Sequence, residues 1–252
     1  MYGGMSEADA SSPYVPKYSD AEIANPVRNT DWLDPVLRTG VQTSHNVSIN
    51  GGTENTQYMI SGNFLLQDGV VKNNGMDRYS LRANLDQRLS KYVKVGLNLT
   101  ATRSQYDNVP LGDGDSENAS LLVAAARFNP LMPIRDENGD YTMNPDATFL
   151  PNPVSMLDIT DKTSRIDYLV HSILISNRLK ICISKGNFGL DRNYQKRKTY
   201  LPTTTLYGQK QNGAATIAQQ DNNDYLMELT ASYLKSFGDH SINACWGILI
   251  SV

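Results

Sequence analysis

Apolar and polar residues alternate with a period of two along most of the chain after about residue 43. In the segment 78–89, Tyr79, Leu81, Ala83 and Leu85 share one face, and the residues between them are polar or charged. Successive side chains of a β-strand point to opposite faces of its sheet. The pattern therefore predicts strands with one apolar and one polar face.

The alternating segments are long, as 93–102, 225–233 and 240–252 show. Strands of about 11–13 residues exceed the ~5–6 residues usual in soluble sheets and suit a tilted crossing of a bilayer. Aromatic residues at the ends of apolar stripes are typical of interfacial girdles, because their rings are partly apolar and their polar groups seek water. Five aromatic residues are expected to belong to such a belt or to a core, rather than to serve as platforms for sugar stacking: Tyr58, Tyr79, Tyr225, Tyr233 and Trp246.

Connections between these segments are alternately short and long. The predicted short turns are 51–56, 90–92, 185–187 and 236–239, and the long loops are 69–75, 108–165 and 202–223. This connectivity is typical of an antiparallel transmembrane β-barrel, with short turns on one side and long loops on the other. About eight strands are predicted, and since nothing indicates that the first meets the last, the barrel is expected to be incomplete.

Residues 1–42 lack a sustained period and are predicted to be an irregular segment leading into the barrel region 43–252. One helical turn is expected near Ser19 to Ile23, and Trp32, Val36 and Leu37 are candidate apolar anchors. No basic region followed by an apolar stretch opens the chain, so no signal peptide is predicted.

Composition narrows the class of protein. Of the 252 residues 40% are hydrophobic, yet no run approaches the ~18 apolar residues that a membrane-spanning helix needs. The 23 basic and 26 acidic residues are interspersed, which argues against a nucleic-acid partner. Cys182 and Cys245 lack CxxC spacing, and we expect both thiols to be unpaired.

The loop 108–165 has features of its own. Ser116 is a candidate cap for a helix through Arg127, and 136–139 reads as a tight turn. The shared face of that helix would comprise Leu121, Leu122, Ala125 and Phe128. Acidic residues in this loop are candidate calcium ligands, but their spacing does not match that of an EF-hand calcium-binding loop. They are Asp107, Asp113, Asp115, Glu117 and the turn 136–140.

The sequence contains no motif that indicates catalysis or metal binding. His45, His171 and His240 are too scattered to form a ligand set. No nucleophile elbow or phosphate-binding glycine loop is present. We predict no enzyme activity, no metal and no cofactor.

The run 30–104 resembles the SusC/RagA family of TonB-linked outer-membrane transporters. The stretches that carry this resemblance are Thr30-Asp31-Trp32, His45-Asn46-Val47-Ser48, Asp68-Gly69-Val70-Val71-Lys72-Asn73, Arg78-Tyr79-Ser80, Asn84-Leu85-Asp86 and Val93-Lys94-Val95-Gly96. Further similarity covers 129–141 and 239–244, so most of the chain is included.

The resemblance implies a plugged outer-membrane barrel that imports glycan oligomers or peptides with a SusD-like lipoprotein, driven by TonB. The family's signal peptide and plug are not readable here, nor is its C-terminal aromatic strand. The chain is accordingly expected to be an internal barrel portion, inactive alone and in contact with outer-membrane lipid.

Candidate substrate-binding residues are of two kinds. Polar-face residues would line the pore, although pairing among themselves is the alternative; they are Arg78, Arg82, Asn84, Asp86 and Asn98. Loop aromatics could contact a ligand outside the barrel, and these are Phe128, Tyr141, Phe149 and Tyr207.

A rival hypothesis is a soluble β-sandwich that binds glycans through its loops. A sandwich would bury the apolar stripes at 79–85 and 225–233 against a second sheet, whereas a barrel would present them outward. The exposure of these stripes therefore separates the two folds.

Overall fold

The computed structural model describes residues 18–111, 120–145, 147, 149–179 and 182–252, with only the backbone described at 176–179. Eight strands pair in chain order as one antiparallel sheet whose edges are β1 and β8. In this part of the chain, no helix has both the length and the apolar character needed to cross a bilayer. The strands are β1 Gln42–Gly52, β2 Thr56–Asp68, β3 Gly75–Arg88, β4 Val93–Asn108, β5 Thr160–Leu179, β6 Cys182–Leu201, β7 Ala214–Phe237 and β8 His240–Ser251.

Strand register gives the sheet two chemically different faces. The row Ile49, Ile60, Ala83, Leu99 and Val170 runs across five paired strands on what we call the apolar face. The opposite side, the polar face, carries the alternate residues of each strand. The predicted alternation is confirmed, and the belt aromatics Tyr58, Tyr79, Tyr225, Tyr233 and Trp246 all lie on the apolar face.

The apolar face is not covered by a second sheet in the described residues. Tyr79 and Leu81 are each 46% exposed, and Tyr225 is 58% exposed. Side chains of this kind would be buried in a sandwich. The sandwich hypothesis is wrong, and the single open sheet matches the barrel portion predicted from the sequence.

Several predicted boundaries differ from the structure. The segment 185–187 lies inside β6, because β5 ends at Leu179 and β6 begins at Cys182. The long loops are also shorter than predicted, at 109–159 and 202–213, since β5 and β7 start earlier. The turns at 53–55, 89–92 and 238–239 and the loop at 69–74 agree with the predictions.

Helices occur only as short elements in the described regions. α1, Asp20–Ala24, begins with a capping box in which Ser19 and Glu22 bond each other's backbone amides. These bonds from Ser19 lower the pKa of the Glu22 carboxyl. α2, Leu121–Arg127, is capped by Ser120, while the predicted cap Ser116 lies outside the described residues. A 3-10 helix spans Ser155–Asp158, and α3 spans Leu206–Lys210.

A small hydrophobic core closes the end of the sheet where the long loops lie. We call this region the loop cap; it comprises 18–41, 69–74, the described part of 109–159, and 202–213. Trp32 packs against Phe128 with ring centroids 4.4 Å apart and ring planes tilted by 60°, and it donates its indole N–H to the Asn129 carbonyl at 3.1 Å. The buried core residues are Trp32, Val36, Val71, Val109, Leu121, Ala124, Ala125, Phe128, Leu150 and Met156.

Predictions for the cap are partly confirmed. Trp32 and Val36 are buried anchors, but Leu37 and Leu122 are 36% and 38% exposed. Leu37 instead forms an isolated bridge with Val71, which ties the N-terminal segment to the β2–β3 loop.

The loop 109–159 is held by a buried side chain. Asn152 is 0% exposed and donates to the carbonyls of Ile134 and Thr142 at 3.0 and 3.1 Å, while its own oxygen accepts from the Val154 amide. Buried backbone groups need such partners, because leaving one unsatisfied costs about 1–3 kcal/mol. One amide thus orders three loop backbone groups in a proline-rich segment.

Candidate functional site

All five predicted pore-facing residues lie on the polar face. Arg78, Arg82, Asn84 and Asp86 follow one another at alternate positions of β3, and Asn98 of β4 pairs directly with Asn84. The alternation of β3 accounts for this placement, because every second residue returns to the same face. The structure therefore brings these polar groups together on one wall.

Asp86 has an oppositely charged partner, whereas Arg78 and Arg82 have none among the described residues. The Asp86 carboxylate lies 3.1 Å from the Lys94 ammonium, and both side chains are about half exposed, at 48% and 47%. Exposed pairs of this kind contribute only ~0–1 kcal/mol. Among the described residues, Arg78 and Arg82 form no ion pair, so their guanidinium groups are available to a solute.

Polar-face residues of β6 and β7 were missed as candidates. Asp191 pairs in register with Asp224, and Glu228 lies four residues further along β7 on the same face. None of these acids has an ion-pair partner in the described part of the chain. The alternation in β7 could have revealed Asp224 and Glu228. Asp224 directly precedes the apolar stripe 225–233, and Glu228 occupies a polar-face position within it.

Other polar-face charges are neutralised within the wall. Arg165 donates to Asp167 at 2.9 Å, and Asn193 bonds the same carboxylate. Arg197 donates to Asp161 through its Nε at 2.9 Å. The free charges that remain in the described residues include Arg78 and Arg82 on β3 and mostly acids on β6 and β7, where Lys185 of β6 is a free cation on the same face.

The four loop aromatics have different environments. Phe128 is only 3% exposed and belongs to the core, so the structure assigns it a packing role and corrects its choice as a ligand contact. Phe149 is 66% exposed, and the Tyr207 hydroxyl donates to its carbonyl at 3.3 Å. This bond joins the two long loops at the mouth of the sheet.

Tyr141 packs against a charged neighbour. The Arg135 guanidinium lies 4.0 Å from the Tyr141 ring centroid, within the range of a cation–π contact. Partial burial raises the pKa of the Tyr141 hydroxyl, and its hydrogen bond with the Asp158 carboxylate raises it further. Burial also raises the pKa of Tyr207. Both phenols therefore remain neutral hydrogen-bonding groups near neutral pH.

The acidic loop residues and the cysteines carry no site in the described residues. Asp107 pairs with Lys162 at 3.2 Å, and Asp136 accepts the amides of its own turn, while Asp113, Asp115 and Glu117 lie outside the described residues. Across the described ranges, no three potential ligands converge on a point that could hold a metal ion. Both cysteines are free, and their register places Cys182 on the apolar face and Cys245 on the polar face.

Curated relatives are receptors of one kind. TonB-dependent receptor P3 of Formosa agariphila is 30% identical over 244 residues, covering 96% of this chain and 24% of the relative. TonB-dependent receptor SusC of Bacteroides thetaiotaomicron is 44% identical over 143 residues, covering 50% of this chain and 14% of the relative. The chain thus spans about a quarter or less of the length of these relatives.

Solved structures support the fold. The RagAB peptide importer in its closed-closed state matches with a TM-score of 0.70 and 19% identity, covering 88% of this chain and 25% of that chain. A second structure, of the RagAB peptide transporter, gives a TM-score of 0.69. No protein-family model matches the sequence.

Proposed function

This chain is related to the TonB-dependent receptors of the SusC/RagA type, and we propose that it forms part of the barrel wall of an outer-membrane importer. Its apolar face would contact lipid, and its polar face would line the passage. The loop cap would contribute to the extracellular vestibule. Transport would require the remaining barrel and a plug, so the chain by itself is expected to be inactive.

One observation carries this proposal: eight consecutive strands pair in register with their apolar residues concentrated on one face. The least regular of them is β5, with Leu169, Ile173 and Ile175 on the polar face. Apolar side chains that are 40–60% exposed, such as Leu81 at 46% and Ile250 at 51%, are unfavourable in water over so wide a surface. A bilayer removes this cost, and the hydrogen-bonded strands satisfy the backbone groups that lipid cannot.

A pair of adjacent cysteine substitutions tests the placement of the two faces. In a background with Cys182 and Cys245 changed to serine, we expect Leu81→Cys to react with a lipid-soluble maleimide and Arg82→Cys with a water-soluble one. The residues are neighbours on β3 but point to opposite faces. Labelling would be measured on carbonate-washed membranes from cells that express the chain.

The reverse reactivity, or equal reaction of both cysteines with the water-soluble reagent, would contradict the membrane placement. Release of the chain by the carbonate wash would do the same. The reduced and denatured protein provides the control for intrinsic thiol reactivity.

For the imported substrate we propose glycan oligomers or peptides, and the charge distribution favours peptides. Free Arg78 and Arg82 on β3 face the passage together with free Asp191, Asp224 and Glu228 on β6 and β7. A peptide carries both signs of charge and can pair with both regions, whereas a neutral glycan uses only hydrogen bonds. A SusD-like lipoprotein above the loop cap and energy from TonB complete the proposed system.

Removal of the free arginines is expected to weaken binding of an acidic peptide. For the double variant Arg78→Ala/Arg82→Ala we expect about a 5- to 30-fold higher Kd, because each charge-assisted contact in water contributes roughly 0.5–1 kcal/mol. Binding would be measured by fluorescence anisotropy of a labelled acidic peptide with the detergent-solubilised chain.

A neutral oligosaccharide serves as the comparison ligand, and Arg103→Ala on the apolar face serves as the matched protein control. Both should show little change. An equal loss of peptide binding in Arg103→Ala would mean that net charge, not the polar face, is responsible.

A further inference from the structure

The apolar face contains a groove that is centred on a glycine. Gly62 of β2 is flanked in register by Val47 and Leu81, and a Cβ atom added at Gly62 would meet no atom within 4 Å. The resulting open groove has a volume of about 580 Å³. Its apolar lining includes Val47, Phe64, Leu81, Ala101, Ile166 and Tyr168.

A basic surface adjoins this groove on its loop side. Arg103 lines both the groove and a second cavity of about 380 Å³, which also contains Lys162, Lys196 and Lys198. Alternate positions of β4, β5 and β6 place all four cations on the same side of the sheet as Tyr79 and Leu81.

The basic surface retains a net positive charge. Two acids, Asp77 and Asp107, share its cavity, and Asp107 is paired with Lys162 at 3.2 Å. Arg103, Lys196 and Lys198 form no ion pair within the described residues. A cavity with unpaired cations therefore lies directly beside an open apolar groove.

We propose that these adjoining cavities form a binding site for a phosphate-bearing anionic lipid in the leaflet on the loop side of the bilayer. Its phosphate would accept hydrogen bonds from Arg103 and from the ammonium groups of Lys196 and Lys198. One of its acyl chains would lie in the groove beside Gly62. This proposal goes beyond import and rests only on the lipid contact of the apolar face that we propose above.

The chemistry favours a lipid over other occupants. A soluble anion would use the cations but leave the groove unfilled, and an uncharged lipid would fill the groove but leave three cations unpaired. Basic residues near a membrane surface each attract anionic lipid with about fivefold selectivity. An amphiphile with a phosphate beside an acyl chain satisfies both parts of the site.

Electron paramagnetic resonance with spin-labelled lipids tests the proposal. The full chain would be inserted into phosphatidylcholine bilayers that contain spin-labelled phosphatidylglycerol or spin-labelled phosphatidylcholine, and the motionally restricted fraction of each would be compared. We expect the unchanged chain to restrict phosphatidylglycerol preferentially, with at least about fivefold selectivity. In Arg103→Ala/Lys196→Ala this selectivity should fall by at least about fivefold, because two of the three unpaired cations are lost.

Two further variants separate the parts of the site. Arg78→Ala/Arg82→Ala removes the same charge from the polar face and should keep the selectivity. Gly62→Ile places an apolar side chain in the groove, where a Cβ atom at this position meets no atom within 4 Å, and should reduce restriction of both labelled lipids, since the acyl chain loses its place. Because isoleucine favours β-strands, this variant keeps the sheet intact.

The outcomes are distinct. Equal restriction of the two lipids by an inserted, unchanged chain overturns the lipid site but leaves the proposed barrel wall standing. Equal loss of selectivity in the polar-face variant also overturns the site, because total charge would then explain it. A chain that fails to enter the bilayer contradicts both proposals.

Discussion

Replacing Leu99 by arginine is expected to lower the free energy of unfolding of the membrane-inserted sheet by about 2–4 kcal/mol. Leu99 lies on the apolar face, paired with Ala83 of β3 and Val170 of β5. This row is near the middle of the apolar band, where a guanidinium group would meet hydrocarbon with no acid beside it. The energetic cost is the loss of water around a charge.

Asn98→Arg is the matched control, because Asn98 precedes Leu99 on the same central strand and points to the polar face. Its register partners are Asn84 and His171, and it is exposed. We expect a change within ~0.5 kcal/mol, as for other solvated surface substitutions. Urea unfolding from lipid vesicles would measure both variants by tryptophan fluorescence, with Trp246 on the apolar face as the reporter.

Similar stability of the two arginine variants would contradict the assignment of faces. Destabilisation by Asn98→Arg alone would mean that the polar face is the buried one.

The alternation of single residues was sufficient to predict the sheet and its two faces. The row through Ile60, Ala83 and Leu99 follows from side-chain parity within each strand and from the order of strands in the chain. Long, alternating strands joined by tight turns leave few other pairings. The pore-facing candidates on β3 and β4 share a face for the same reason.

The predicted turn at 185–187 is wrong because Gly186 was interpreted as a turn residue. The sequence around Gly186 reads as a chain reversal, but a side chain at Gly186 would lie 3.3 Å from Leu229 and 3.4 Å from Phe188. The residue is buried, and its small size admits these two side chains on the apolar face. A glycine that makes room for neighbours looks identical in sequence to one that permits a turn.

The early starts of β5 and β7 have another cause. Residues 214–224 of β7 are largely polar and exposed, and they pair with the second half of β6 beyond the apolar band. Strand hydrogen bonds extend there into water, where no apolar alternation is required. The alternation of apolar and polar residues therefore predicted the part of each strand that faces lipid, but it missed the part of the strand that extends into water.

The loop cap depends on contacts between residues that are distant in the chain. Nothing local to Phe128 indicates that it packs against Trp32, and this contact removed it from the ligand candidates. Sequence patterns identified Trp32 as an apolar anchor and Phe128 as part of a helix face and a ligand candidate, but could not pair them, because no periodic element connects them.

Trp32→Ala is accordingly expected to destabilise the loop cap by about 3–5 kcal/mol while leaving the sheet unchanged. The substitution removes a ring that is 3% exposed, its tilted contact with Phe128, and the indole hydrogen bond to the Asn129 carbonyl. The cavity cannot be refilled easily, since helix α2 and the segment around Val36 are fixed by their own backbone bonds.

Hydrogen exchange monitored by mass spectrometry would measure this effect locally. Peptides that cover α2 should lose protection by about two to three orders of magnitude, whereas peptides from the centre of β3 should not change. Phe149→Ala is the matched control, because Phe149 is an aromatic residue of the same cap but is 66% exposed. It should alter exchange in α2 by less than about threefold, which corresponds to ~0.5 kcal/mol.

Loss of protection in β3 as well as α2 would show that cap and sheet unfold as one cooperative unit. Equal effects of Trp32→Ala and Phe149→Ala would contradict the central role of Trp32. If instead only α2 opens, the loop cap is an independent unit that can rearrange at the mouth of the sheet while the wall stays closed. Such independence is what a vestibule that admits a substrate requires, because the wall must keep its seal against lipid while the loops move.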